Sequence, residues 1–148
     1  MSNAGDVILA ADFPTAVSDL QSANGTTTST TYTPTLTGAT AAGVAFVAPT
    51  SGKVLITNNA RMVNSAANET YCGFTLRTGA SVGSGTVVTA AADERSIIHV
   101  GTAIERQAVG YLVTGLTPGA SYNVQQEFRV SAGTGTYAYR LIIVTPTT

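Results

Sequence analysis

Charge is what this sequence has least of. Only 10% of its 148 residues are Asp, Glu, Lys or Arg, against roughly 25% in an ordinary soluble domain. Charged side chains are the usual defence of a β-sheet that stays alone, so a neutral, strand-rich surface points to a partner that covers it. The basic residues, Lys53, Arg61, Arg77, Arg95, Arg106, Arg129 and Arg140, are scattered singly, and the formal net charge is −1. That leaves no basic stripe to neutralise phosphates and disfavours nucleic acid as a partner. There is no tryptophan, one cysteine and one histidine. A lone Cys72 makes no intrachain disulfide, which fits synthesis in a reducing cytoplasm; a chain destined for the outside then needs another stabiliser, and oligomerisation is the common one. Long apolar runs are missing as well. The strongest near the end, Leu141 to Val144, is far below the roughly 18 residues that span a bilayer, so no membrane insertion is expected. The first residues show no basic region followed by an apolar block and a cleavage site, so we expect no secretory signal and read Met1 as the natural start.

The same scarcity bounds the chemistry. His99 is the single histidine and lies among apolar residues of the stretch Ile97 to Val100; no Gly-x-Ser-x-Gly elbow and no metal-ligand spacing accompanies it, so a structural role is expected. Cys72 alternates with Phe74 and Leu76 and reads as a small core residue rather than a nucleophile. Asp93 and Glu94 beside Arg95 read as a solvated bend, because a calcium loop gathers more oxygen ligands than this. Asn68, Glu69 and Thr70 match the N-glycosylation pattern, which has no bearing without a secretory route. The glycine-containing stretches lack a following Lys-Ser/Thr and imply no phosphate cradle. Tyr32, Tyr71, Tyr111, Tyr122, Tyr137 and Tyr139 suit sheet packing or an interface better than a carbohydrate site. We therefore expect a non-enzymatic protein with no catalytic residue, no cofactor and no metal.

What is present is β-structure. Residues 1–43 read as an N-terminal arm: an apolar patch at Val7, Ile8 and Leu9, a turn at Asp12, Phe13 and Pro14, then a stretch from Gln21 to Ala42 dominated by Thr, Ser, Ala and Gly. Such a stretch is linker-like, yet threonine favours strands, so residues Thr30 to Thr37 are expected to form an edge strand if a neighbour supplies the ladder. Residues 44–148 carry a period of two. Val44, Phe46 and Ala48 share a face, and Pro49 to Gly52 make a turn. Val54 with Ile56, Cys72 with Phe74 and Leu76, and Val109 with Tyr111 and Val113 repeat the alternation. In Tyr122, Val124, Gln126, Phe128 and Val130 against Asn123, Gln125, Glu127 and Arg129, one face is expected in the core and the other in water. Gly133 and Gly135 then turn the chain into Tyr137 to Ile143. Short strands at intervals of about 8–12 residues without a helical window predict an all-β fold, an antiparallel β-sandwich or jelly roll with an extended N-terminal arm. A rival fold comes from Gly115 to Tyr122, which looks like the corner of a fibronectin type III domain, where a tyrosine hydroxyl bonds back across the turn.

At Ala4 to Pro14, Val44 to Gly52 and Leu112 to Tyr122 the chain resembles a family of small virion proteins of phages of actinobacteria, which share an Ala-Gly-Asp arm, an Asp-Phe-Pro turn and a Gly-Leu-Thr-Pro-Gly corner. Phe46, Ala48, Pro49, Ser51 and Gly52 are also similar to the opening strands of complement-type and tumour-necrosis-factor-like jelly rolls, which are trimers. The resemblance implies a homotrimer in the virion, either a capsid decoration or head-fibre protein held on the major capsid protein, or a tail-fibre adhesin binding a host surface glycan. Val7, Ile8, Leu9, Phe13 and Pro14 are the residues expected to make the arm's contacts.

Overall fold

A computed structural model describes residues 14–148, in which ten strands form two antiparallel sheets. The strands are β1 (Val17–Gln21), β2 (Gly25–Thr27), β3 (Gly43–Val47), β4 (Val54–Asn64), β5 (Glu69–Thr78), β6 (Val87–Thr89), β7 (Ile97–Val100), β8 (Glu105–Val113), β9 (Ser121–Val130) and β10 (Gly135–Pro146). The first sheet runs β1-β10-β4-β8, with β2 also on β10; the second runs β3-β9-β5-β6, with β7 also on β5. The pairing is nested: β1 meets β10, β3 meets β9, β4 meets β8, and β5 meets β6 and β7. A chain that pairs its ends first and its middle last is a hairpin rolled into two layers, the jelly roll. The expected fold class holds, and the fibronectin alternative does not. Its local bond exists all the same, since the Tyr122 hydroxyl accepts the Thr117 N–H at 3.1 Å.

Alternation explains the layers. In β4 every second residue from Val54 to Asn64 is buried, as a strand with one face on a core requires. Two apolar clusters fill the space between the sheets, one around Phe46, Ile56, Phe74, Val124 and Ile142, the other around Met62, Cys72, Phe128 and Tyr137. Polar groups also bridge the sheets: Gln126 Nε2 donates to Asn58 Oδ1, and Asn58 Nδ2 donates to the Cys72 carbonyl at 2.8 Å. Both amides are fully buried, so these bonds offset a desolvation that would otherwise oppose folding.

Three expectations are corrected. The segment assigned to a separate arm is part of the sandwich from residue 17 onward, because β1 pairs with the last strand along its whole length, Val17 with Val144 through Gln21 with Arg140. Thr30 to Thr37 is not a continuous edge strand. It runs beside β9 through single contacts, Thr33 exchanging backbone bonds with Phe128 at 3.1 and 2.8 Å, since the buried Leu36 turns the chain inward and interrupts the ladder. The polar face of β9 is not wet. Asn123 is 0% and Glu127 7% exposed, because the chain from Gly79 to Ser96 folds back over that face.

Candidate assembly face

The two sheets present opposite surfaces. On the second sheet, Asn123 Oδ1 accepts the Gly83 N–H at 3.0 Å while its amide donates to the Gly79 and Ser84 carbonyls, both at 3.0 Å. Thr75 Oγ1 accepts the Ala91 N–H at 3.1 Å. Asp93 sits in a 3₁₀ turn, Asp93–Arg95, and clasps Arg129 through two bonds, Nε to Oδ1 at 3.0 Å and Nη2 to Oδ2 at 2.5 Å. The guanidinium lies 3.6 Å from the centre of the Tyr71 ring, and the Tyr32 hydroxyl donates to Asp93 at 2.9 Å. Arg129 holds the Asp93 carboxyl below its ordinary range, and burial raises the Tyr32 hydroxyl to about 12. This corner, expected as a plain solvated bend, fastens the threonine-rich segment to β5 and β9. These contacts cover the β9 face of the second sheet with its own chain, while Val47, Val88, Ile98 and Val100 stay exposed on β3, β6 and β7.

The first sheet is open on its outer side, and that side is largely apolar. Register places Leu20 beside Leu141, Asn59 and Ala108; Ser18 beside Ile143, Thr57 and Gly110; and Thr145 beside Leu55 and Leu112. Leu20 is 55% and Leu112 53% exposed. Among the described residues, β8 ends the sheet and no strand pairs with its outer backbone edge. A sheet face with exposed leucines and an edge strand of nine residues is the geometry that other chains add to.

The candidate chemical residues stay apart. His99 is 3% exposed, with Nδ1 3.4 Å from Glu105 Oε2 and Nε2 3.2 Å from the Gly101 carbonyl, so it ties β7 to β8. Cys72 is fully buried and burial pushes its thiol up to about 12. Among the described residues no three His, Cys, Asp or Glu side chains converge as metal ligands would, and no helix is long and apolar enough to cross a membrane. Of the expected arm contacts, Val7, Ile8, Leu9 and Phe13 lie outside the described residues. Pro14 lines a cavity of 340 Å³ with Pro49, Thr50, Ser51, Pro146, Thr147 and Thr148. Sequence reasoning missed the open face, because its residues are the unremarkable halves of β1, β4, β8 and β10; only their shared register makes them a surface.

Among solved structures, a chain of the T13 IBDV viral particle is similar, with a TM-score of 0.57 and 12% identity over 91% of this chain and 31% of that one. The two share a fold. This chain spans less than a third of that chain's length. A chain from the disulfide-linked pili of Bacillus endospore appendages aligns at a TM-score of 0.34 and 14% identity, over 98% of this chain and 100% of that one. The enzymatically active domain of bacteriophage CBA120 tailspike protein 4 aligns at 0.38 and 12% identity, over 86% of this chain and 19% of that one. Both scores are too low to bear on the fold. No family model and no curated protein matches the chain.

Proposed function

We propose that this chain is a non-enzymatic structural protein of a bacteriophage virion, a capsid decoration or head-fibre protein that stands on the particle as a homotrimer. The observation that carries the reading is the outer face of the first sheet: the chain covers the polar residues of β9 itself, whereas the register rows of Leu20, Leu141, Leu55 and Leu112 are left uncovered by the described residues. A monomer in water gains nothing from that arrangement, whereas copies packed around an axis bury it. The fold shared with a chain of the viral particle supports the same setting. The N-terminal segment holding Val7, Ile8, Leu9, Phe13 and Pro14 anchors the trimer to the major capsid protein, and the chain is made in the host cytoplasm and ends in the virion.

The second reading, a tail-fibre or tail-tip adhesin that binds a host surface glycan, is favoured by one cluster, Arg61, Arg106 and Tyr139, at the end of the open face. Quantitative mass spectrometry of purified virions separates the two. A copy number near that of the major capsid protein is expected for decoration, a few trimers per particle for a fibre, and absence from the particle refutes both.

A further inference from the structure

At the end of the open face away from Leu55 and Leu112, the register sets two arginines directly opposite each other, Arg61 on β4 and Arg106 on β8. Like charges in that position repel, and sheets ordinarily avoid them. The arrangement is more unusual in a chain with so few charges. Arg77, Arg95 and Arg129 each meet a carboxylate, Glu127, Glu94 and Asp93, whereas among the described residues neither Arg61 nor Arg106 does. Each is held instead by a neutral amide: Arg61 Nη2 donates to Asn24 Oδ1 at 3.2 Å and Arg106 Nε to Asn59 Oδ1 at 2.9 Å. Amides orient a guanidinium without neutralising it, so both charges remain available to an outside anion.

The third member is Tyr139. Both guanidinium carbons lie near its ring, at 5.2 Å for Arg61 and 5.9 Å for Arg106. It is 44% exposed, while Tyr71, Tyr122 and Tyr137 are buried. It sits in the irregularity of β10 between Ala138 and Leu141, where two residues oppose one on β4. Among the described residues it is the non-glycine with a positive φ, +46°. A bulge re-aims side chains, and here it sends Arg140 into the interior and Tyr139 to the outer face. Backbone strain of this kind is tolerated where a side chain is needed in one place.

We infer that Arg61, Arg106 and Tyr139 form a binding site for an acidic saccharide, its carboxylate or phosphate held by the paired guanidiniums and its ring packed on the exposed tyrosine. Asn24 and Asn59 supply amides for hydroxyl groups. A sheet face suits a chain of sugars laid across a surface better than a small enclosed ligand. A second copy of the protein is the rival occupant: Asp93, Glu94 and Glu127 are paired with Arg129, Arg95 and Arg77 of their own chain, whereas Asp19, Glu69 and Glu105 are hydrogen-bonded by Gly43, Gln21, Tyr71 and Gln107, and the oligomeric state of the variants tells the two occupants apart. The site also lies clear of the apolar rows, because Leu55 and Arg61 are about 20 Å apart along β4. A trimer built on those rows carries three such sites at its rim, and weak single contacts add up to firm attachment on a polymer. For its biological setting the inference rests on the adhesin reading, but its test is independent of where the protein sits in a particle.

The test is titration of the isolated full chain, by calorimetry and by amide chemical shifts, with tetragalacturonate, mannose 6-phosphate, maltotetraose and inorganic phosphate. Binding of tetragalacturonate or mannose 6-phosphate, weaker at high salt, is expected, and whichever binds tells carboxylate from phosphate. Arg61→Gln and Arg106→Gln should each weaken it about tenfold or more, the scale of one lost charge-assisted bond, with the oligomeric state unchanged. Maltotetraose should not bind measurably. Binding of inorganic phosphate as tight as that of either acidic saccharide, or unchanged binding in both variants, overturns the inference. So does an absence of acidic-saccharide binding, including the case in which the variants also dissociate the oligomer, which would make the arginines a contact between copies.

Discussion

Replacing Leu112 by aspartate tests the assembly face most directly. Fully burying a leucine is worth about 1.5–3 kcal/mol. Leu112 keeps 53% of its surface exposed in the single chain, so covering it with a neighbour gains about 1 kcal/mol per copy. Aspartate forfeits that gain and brings a carboxylate into the contact, with a desolvation cost of several kcal/mol. The loss recurs in every copy around a closed ring, so a Leu112→Asp trimer should fall apart at concentrations where the unsubstituted protein is fully assembled. The fold itself should survive, because the residue lies on the outer side of edge strand β8 and touches neither apolar cluster. Sedimentation equilibrium over a concentration series reads the mass, and circular dichroism checks the fold. Val88→Asp is the control: Val88 is 45% exposed but lies on β6 of the other sheet, and that variant should remain trimeric. A folded Leu112→Asp protein with the same mass and concentration dependence as the unsubstituted chain would refute the reasoning. Dissociation by Val88→Asp alone would move the contact to the second sheet.

Tyr137→Phe deletes a buried hydroxyl that donates to the Tyr71 carbonyl at 3.1 Å and the Arg129 carbonyl at 2.8 Å, and urea titration should show a loss of about 1–2 kcal/mol. Gly85→Ala should cost about 1–3 kcal/mol in the same assay, since φ is +100° and an added Cβ would meet the Thr78 carbonyl oxygen. Asp93 has its carboxyl lowered by Arg129. Its contribution to stability is therefore complete above the unfolded-state value of about 4 and is lost as pH falls through the lower folded-state value; Asp93→Asn should flatten that acid limb of the urea midpoint. Cys72, fully buried and with its thiol raised to about 12, should react with a thiol reagent at pH 8 only as fast as the protein unfolds. Faster labelling would mean that the sandwich opens locally.

Alternation in the sequence was enough to locate most strands, because a sheet with one face on a core imposes a period of two regardless of what lies opposite. It failed where a strand's second face is also covered. In β9 the polar residues Asn123 and Glu127 carry the signature of a wet face, yet the Gly79 to Ser96 excursion satisfies Asn123 from above and Arg77 of the neighbouring strand β5 pairs with Glu127. A polar side chain records that it needs hydrogen bonds, not whether water or backbone supplies them. Residues 17–27 failed for a different reason: their partner strand lies more than a hundred residues away at the other end of the chain, so nothing local distinguishes them from a linker.

The candidate sites divide along the same line. By itself the sequence determined that the chain is β-built, poor in charge, without a repeated metal or nucleophile pattern, and in need of a cover, since these follow from composition and short-range periodicity. The tertiary structure alone decided which surface is left open and what stands on it. Arg61 and Arg106 are scattered charges in the sequence and become a pair only through the β4–β8 register, and Tyr139 reaches them only because a bulge in β10 reverses its direction. Register and bulges are set by the sum of contacts across two whole strands, and no single stretch of sequence contains that sum.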